Sequence, residues 1–360
     1  IGSALTTLHV EENRGYFAGS SNTNEPIDIH TTPGETWYWQ WFSINNEFTF
    51  PFTLDSLDSS VPVCTLRVRL WGTTYTTSLP PQRARFWVND SLAGEVNFGT
   101  RQAALFTAAI PVQWLRPGTN SLRILNVNLG FGNTQFYLDW FEIDYPRRLR
   151  AVNDQLVFVA PDTLGGTPQR FVVSGFSSPA IEVFDLSSRR RLGGTTVSGD
   201  SISGFTVSFL DTLSSARTYV VKAAARSIPF LRSKTFTDIR VNPPGADYIV
   251  ITHPAFRTQA EQLAAQRQAV RGVRAKVVDV EEIYDEFNYG VMNATKLKTF
   301  IRYAYDHWAQ PAPAYVLLLG DASWDYHRYL GSASIKTNYV PAYGYPAADN
   351  WFVCFDSTYS

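Results

Sequence analysis

The sequence predicts a multidomain protein, all-β first and α/β last: a jelly-roll-like β-sandwich, an immunoglobulin-like β-sandwich, and then part of an open α/β sheet. Three observations carry this. Apolar residues alternate at period two through residues 1–150. Short apolar stretches with polar, Gly-rich joins fill residues 151–235. From residue 236 onward, apolar runs alternate with segments of helical period, as strand–helix–strand units require. The chain has 360 residues, 44% apolar and 18% charged, which suits sizeable folded cores and not disorder.

In the first region, "CTLRVRLWG" sets Leu66, Val68 and Leu70 against Arg67 and Arg69, one face for a core and one for water. "RARFWVNDSLAGEV" alternates through Ala84, Phe86 and Val88, then turns at Asn89-Asp90 into a second strand. Pro117-Gly118 marks a turn before a strand carrying Leu122 and Ile124. "QFYLDWFEIDY" alternates through Tyr137, Asp139, Phe141 and Ile143. Turns at such spacing indicate a two-sheet sandwich. "ETWYWQWF" puts Trp37, Trp39 and Trp41 on one face of a strand, either as an aromatic core or as an exposed stacking platform.

The second region, residues 151–235, contains "QRFVVSGF", "AIEVFDLSS", "SGFTVSFLDT" and "RTYVVKAAA", short strands that fit a small immunoglobulin-like sandwich. Arg189 to Arg191 fall on an expected hairpin tip and read as solvated. In the third region, residues 236–360, Tyr248–Ile251 is a strand and "RTQAEQLAAQRQAVRG" a helix with Ala260, Leu263, Ala264 and Val270 on one face, ending at Gly272. "VRAKVVDVEEIYDEF" gives a second strand followed by an acidic segment. "NATKLKTFIRYAYDHW" is a helix capped by Asn293 or Thr295, with Leu297, Ile301, Ala304 and Trp308 inward. "AYVLLLGDAS" is a third strand, continuously apolar as a sheet covered on both faces needs.

Composition excludes several functions. A net charge of −1 removes a global electrostatic argument for nucleic acid or an anionic membrane. No apolar run approaches the ~20 residues of a spanning helix. The two cysteines, Cys64 and Cys354, support neither a disulfide framework nor a cysteine metal cluster. Ile1 is neither an initiator Met nor the start of a leader, so a trimmed piece of a longer product is expected.

In open parallel sheets, functional groups collect at the C-terminal ends of the strands. Those ends are "THPAF", "VDVEE" and "GDASWDYHR". Asp321, Ser323, Asp325 and His327 follow the third strand directly, and Asp349 and Asn350 sit in "AADNW". They offer carboxylates for a cation or a base with its orienting group; a hydrogen-bonded loop anchor is the plainer reading. His327 with Cys354 as a peptidase pair is disfavoured, because Cys354 lies in the apolar run "NWFVCFD" and reads as a buried small hydrophobe on a strand.

The segments "GETWYWQWF", "VQWLRPGTNSL", "FYLDWFEIDYPRRL", "ADYIVITHPAF", "VLLLGDASWDYH" and "VPAYGYPAADNWF" occur in this order over nearly the whole chain. That ordered set resembles the gingipain-type cysteine peptidases, and most of all their relatives that act as signal peptidase and sortase in type IX secretion of Bacteroidota. The resemblance implies that the third region is the N-terminal part of a caspase-like, gingipain-like α/β peptidase domain. It implies a bacterial protein that is secreted or held at the cell surface on the outer membrane, acting on protein or peptide and meeting secretion-system proteins. In that family the catalytic His follows a Gly-His-Gly strand end and the catalytic Cys ends a later strand, both downstream of the motif matched here by Ala348–Trp351. The chain has no Gly-His-Gly, so no residue inherits the dyad and no catalytic residue is assigned. The dyad is expected beyond residue 360, leaving this chain inactive by itself. No cofactor is required. The family often uses calcium structurally, which leaves open whether a calcium sits near Asp321, Asp325, Asp349 or Asp356; the metal ligands are unassigned. The rival expectation is a cell-surface binding or scaffold protein with a degenerate peptidase fold; a carbohydrate-active enzyme is more distant, since no paired carboxylates mark a cleft.

Overall fold

The computed structural model describes residues 1–16, 37–73, 82–99, 102–130, 134–161, 166–223, 233–323, 325, 328–329, 337–343 and 347–355. The chain is predominantly β, built of several antiparallel sheets with few helices. It divides into two compact units, one of residues 1–15 and 38–231, the other of residues 16–37 and 232–360. No helix among the described residues is long and apolar enough to cross a membrane.

The strands up to residue 148 are β1 (Ser3–Glu11), β2 (Gly15–Tyr16), β3 (Trp37–Tyr38), β4 (Gln40–Phe42), β5 (Glu47–Leu54), β6 (Val63–Gly72), β7 (Gln82–Val88), β8 (Ser91–Phe98), β9 (Ala103–Pro111), β10 (Gly118–Asn126) and β11 (Phe136–Arg148). One sheet runs β1-β11-β6-β9 with β4 also on β11; the facing sheet runs β5-β10-β7-β8. Their inward residues share one core, in which Leu66, Val68, Phe86, Ile124, Phe136 and Phe141 are fully buried. Asn89, with φ +50°, makes the turn between β7 and β8, where an Asn costs less than most residues.

Two expectations fail here for local reasons. The pairing of β11 with β6 slips between Leu138 and Phe141, so the inward set changes phase from Phe136 and Leu138 to Phe141 and Ile143. Strict alternation through Tyr137 and Asp139 therefore does not hold. The three tryptophans do not share a face either, because the backbone bends at Trp39 between β3 and β4. Trp39 packs in the core against Phe50 and Phe141, Trp41 is 42% exposed, and Trp37 belongs to the other unit, edge-on to Tyr329.

The same unit continues with β12 (Gln155–Ala160), β13 (Pro168–Phe176), β14 (Glu182–Asp185), β15 (Arg190–Leu192), β16 (Thr196–Asp200), β17 (Gly204–Thr212) and β18 (Arg217–Lys222). Sheets β12-β18-β14-β15 and β13-β17-β16 enclose a second core around Phe171, Val183, Val207 and Tyr219. Arg190 is not simply solvated at its hairpin tip. It reaches Asp211 at 2.9 Å and Asp185 at 3.5 Å, inside a charged network beside that core.

The second unit carries β19 (Tyr248–Thr252), α1 (Arg257–Arg271), β20 (Ala275–Asp279), α2 (Val280–Asn288), α3 (Ala294–His307) and β21 (Tyr315–Leu319). The strands are parallel in the order β20-β19-β21. Central β19 is buried through Ile249, Val250 and Ile251. Edge strand β21 pairs only with β19 among the described strands; Tyr315 is 64% exposed and its four following residues are half-buried. Helix α1 ends at Gly272, whose φ of +66° supplies the left-handed cap, while Val270 points to solvent and not to the sheet. The acidic segment after β20 is helix α2, which starts without a loop because the Asp279 side chain accepts the Glu281 N–H. Asn293 caps α3, whose Leu297, Phe300, Ile301 and Ala304 are buried.

Candidate functional site

In the order β20-β19-β21 the connections leave β19 toward opposite edges of the parallel sheet, which puts the switch point between β19 and β21, at the strand ends Thr252-His253 and Gly320-Asp321, where open parallel sheets carry their ligands. Thr252, buried, donates its hydroxyl to the Leu319 carbonyl at 2.9 Å and locks the ends of β19 and β21 together. Gly320 lets the chain turn against residues 339–340: a Cβ there would stand 2.9 Å from Val340 Cγ2 and 3.0 Å from Tyr339 Cβ.

The predicted residues fall into separate roles. Asp321 is exposed, and its carbonyl accepts the N–H groups of Tyr339 (2.9 Å) and Val340 (3.3 Å). Ser323 is buried and donates its N–H to Asn338 Oδ1 at 3.1 Å; Asn338 Nδ2 in turn donates to Met292 Sδ at 3.2 Å. These bonds join the loop after β21, the 337–343 segment and the turn before α3 into one wall. Asp325 is almost fully buried and its carboxylate accepts the Tyr329 N–H at 2.9 Å, closing a loop that Arg328 enters at φ +59°. His327 lies outside the described residues. Asp349 and Asn350 sit exposed in a 3-10 turn, Asp349–Phe352, held against α3 by Trp351. Trp351 is sandwiched between Tyr343 at 3.4 Å and the Lys298 ammonium at 4.1 Å. The structure thus places Asp321, Ser323 and Asp325 on one loop, and Asp349 and Asn350 on another.

His253, in "THPAF", joins this rim directly after the apolar strand β19, a position that is its one signal in the sequence. Its Nδ1 accepts the Ala255 N–H at 3.1 Å, and its ring packs edge-on to Tyr339. In the neutral ring that bond sets the tautomer with hydrogen on Nε2. Cys354 lies in irregular chain after the 3-10 turn and is half-buried, not in a buried strand as expected. Burial pushes the Cys64 thiol up to about 11, away from thiolate chemistry. Among the described residues no group of three or more His, Cys, Asp or Glu could hold a metal ion, and Asp356 lies outside the described residues.

Asp279, at the end of β20, is the other carboxyl at this rim. Burial raises its pKa above the ordinary carboxylate range, and Glu281 and Glu282 add to the shift. A raised carboxyl pKa costs stability once pH exceeds its unfolded value, because the folded protein then holds a charge it disfavours. Asp279→Asn keeps the cap and removes the charge. The variant is expected to match the native melting temperature near pH 3 and to melt above the native protein at pH 7. A lower melting temperature at pH 7 than at pH 3, relative to native, would contradict this account.

Residues 241–360 match the family model described as Peptidase family C25, the gingipain family. No curated protein matches the chain in sequence. Among solved structures, dimeric latent PorU from Porphyromonas gingivalis superposes with a TM-score of 0.71 at 18% identity, covering 95% of this chain and 32% of that one. The chain spans about a third of the length of that protein, and the likeness shows the fold. A family 35 carbohydrate binding module from an environmental isolate matches 39% of this chain and 96% of its own at 19% identity. Its TM-score of 0.25 carries no conclusion.

Proposed function

We propose that this chain is the N-terminal portion of an exported gingipain-like cysteine peptidase, with the peptidase dyad in chain that follows residue 360. The observation that carries this is the coincidence of the Peptidase family C25 match, residues 241–360, with the parallel β20-β19-β21 sheet and its switch point between β19 and β21. On this reading residues 1–150 are a jelly-roll-like sandwich and 151–235 an immunoglobulin-like one. Residues 236–360 are the first part of a caspase-like domain. The Asp321, Ser323 and Asp325 loop and the Asp349-Asn350 turn support the strand-end side of that domain without taking part in bond making.

In the whole enzyme a Cys thiolate attacks the peptide carbonyl, the C–N bond breaks, and the histidine passes its proton to the leaving amine. Transfer of the acyl group to water gives a protease; transfer to an amine gives a sortase. The role in type IX secretion, the bacterial surface or extracellular location and contact with secretion-system proteins belong to the same proposal. No cofactor is needed for this chemistry.

Intact mass and labelling with a thiol-reactive peptidyl inhibitor test it. In material carrying chain beyond residue 360, one label on a cysteine outside residues 1–360 is expected, while the 360-residue chain takes none. Absence of any label in the longer protein would overturn the peptidase reading and leave a surface scaffold or binding protein.

A further inference from the structure

The outer face of the sheet β1-β11-β6-β9 carries a row of charged groups that the peptidase reading does not use. His9 belongs to it, on β1, the edge strand of that sheet. The register sets His9 opposite Glu142 of β11, and Glu142 opposite Arg67 of β6.

Both ring nitrogens of His9 meet a carboxylate. Nδ1 lies 3.0 Å from Glu142 Oε1, and Nε2 lies 3.0 Å from Glu11 Oε2. An ionised carboxylate only accepts hydrogen bonds, and a neutral imidazole has a single N–H. The ring therefore satisfies both partners only as an imidazolium. Loss of its proton leaves one nitrogen lone pair facing a carboxylate oxygen. The Trp140 ring, 5.5 Å away, also favours the cation.

The two carboxylates are not held alike. Glu142 Oε2 accepts Arg67 Nε at 2.8 Å, and Arg67 also donates to both Asp144 oxygens, at 2.5 and 2.8 Å. Thr7 donates its hydroxyl to Asp144 at 2.6 Å. Among the described residues Glu11 has, besides His9, the Asn13 amide at 3.1 Å, two residues along the same chain. Arg69, the next cation on β6, is turned to Asp139 at 3.7 Å, and Arg14 pairs with Glu12. Glu142 thus keeps its place when the ring is neutral, and Glu11 is the partner that lets go.

We propose that His9 is a pH-sensitive latch on the end of β1, closed while its imidazolium bridges Glu11 and Glu142 and opened at Glu11 when the ring loses its proton. Burial pulls the His9 pKa down, but the bonds to Glu11 and Glu142 outweigh it and hold it above the ordinary histidine value. A raised folded pKa means that the latch contributes fully below about pH 6.5 and is lost as pH rises through the folded value. Burial pushes the Glu142 carboxyl up, but Arg67 and His9 outweigh it and keep its pKa below the ordinary value, so it stays ionised in that range. The chain leaves this unit at residue 16, soon after Glu11. The latch sets how firmly the departing strand end is held.

Two NMR measurements on the 360-residue chain test this. Nitrogen-15 spectra of the imidazole rings, with His9 assigned by its loss in His9→Gln, should show both His9 nitrogens protonated at pH 6 and a midpoint above about 6.5. Hydrogen exchange, corrected for the intrinsic effect of pH, should show residues 9–11 losing about threefold in protection between pH 6 and pH 8.5, the size of one exposed ion pair. Residues 4–6 of the same strand should hold theirs. The His9 and Glu11 side chains are 44% and 29% exposed, so His9→Gln and Glu11→Gln both fold, and in both the pH dependence should vanish. Glu11→Gln should also lower the His9 midpoint. A His9 midpoint at or below 6.5, protection at residues 9–11 that ignores pH, or the same pH dependence in His9→Gln would each overturn the proposal.

Discussion

Replacing Asp185 by Ala is expected to cost the second sandwich about 3–5 kcal/mol, the usual result of stripping one partner from a buried ion pair. Its side chain is 0% exposed and meets Arg217 at 2.6 Å; it also accepts the N–H and hydroxyl of Ser188. Arg217, itself largely buried, would keep only Asp211 at 3.7 Å. Tyr219 donates to that same Asp211 at 2.7 Å, so the loss spreads into the core. Tyr219→Phe should cost only about 1 kcal/mol, because it removes one bond and no charge. Urea unfolding followed by circular dichroism separates the two variants; equal losses would refute the buried-charge explanation. Burial pushes the Asp185 carboxyl up, but the Ser188 bonds and Arg217 outweigh it and hold the pKa below the ordinary value. Its stabilisation is therefore complete above about pH 4 and fades as pH falls through the lowered folded pKa. The Asp185→Ala deficit should shrink in acid.

The amides of β21 bonded to β19 are expected to exchange with solvent at least about a hundredfold faster than those in β11 of the same 360-residue chain. β11 is paired on both sides, by β1 and β6, and lies over a closed core. β21 is apolar, half-buried, and paired on one side only among the described strands. Such an edge opens readily and invites pairing with another strand. Exchange as slow in β21 as in β11 would show that something already covers the edge.

The elements set by local chemistry were legible from the sequence. Asn89 and Gly118 mark turns, Gly272 and Asn293 cap helices, and the buried face of α3 follows its period. What escaped depended on distant partners or on small breaks in a pattern. The slip at Asp139-Trp140 is a property of β11 against β6, and no single strand displays it. Helix α2 hid behind its charge: Asp279 as cap with Glu281 and Glu282 in the first turn is a helix start that reads as a polar loop. At the candidate site the positions of Asp321, Ser323 and Asp325 at a strand end were readable. Their partners Tyr339, Asn338 and Met292 were not, because the contacts come from segments up to dozens of residues away. The grip of Arg274 on the Gln310 and Pro311 carbonyls had no sequence signal, since carbonyl acceptors are the same at every residue.

The pairing of β1 with β11 has a consequence for how the chain comes into being. Thr7 finds its hydrogen-bond partner Asp144 137 residues later, so β1 is matched only by the last strand of its own sandwich. At ribosomal speeds of roughly 5–20 residues per second, β1 waits about 7–27 s for its neighbour to be synthesised. During that interval the first sheet cannot close, and closing so long a loop is entropically slow in any case. A sandwich that must remain pliable until residue 148 has emerged is open to capture by a chaperone or a translocon before it sets.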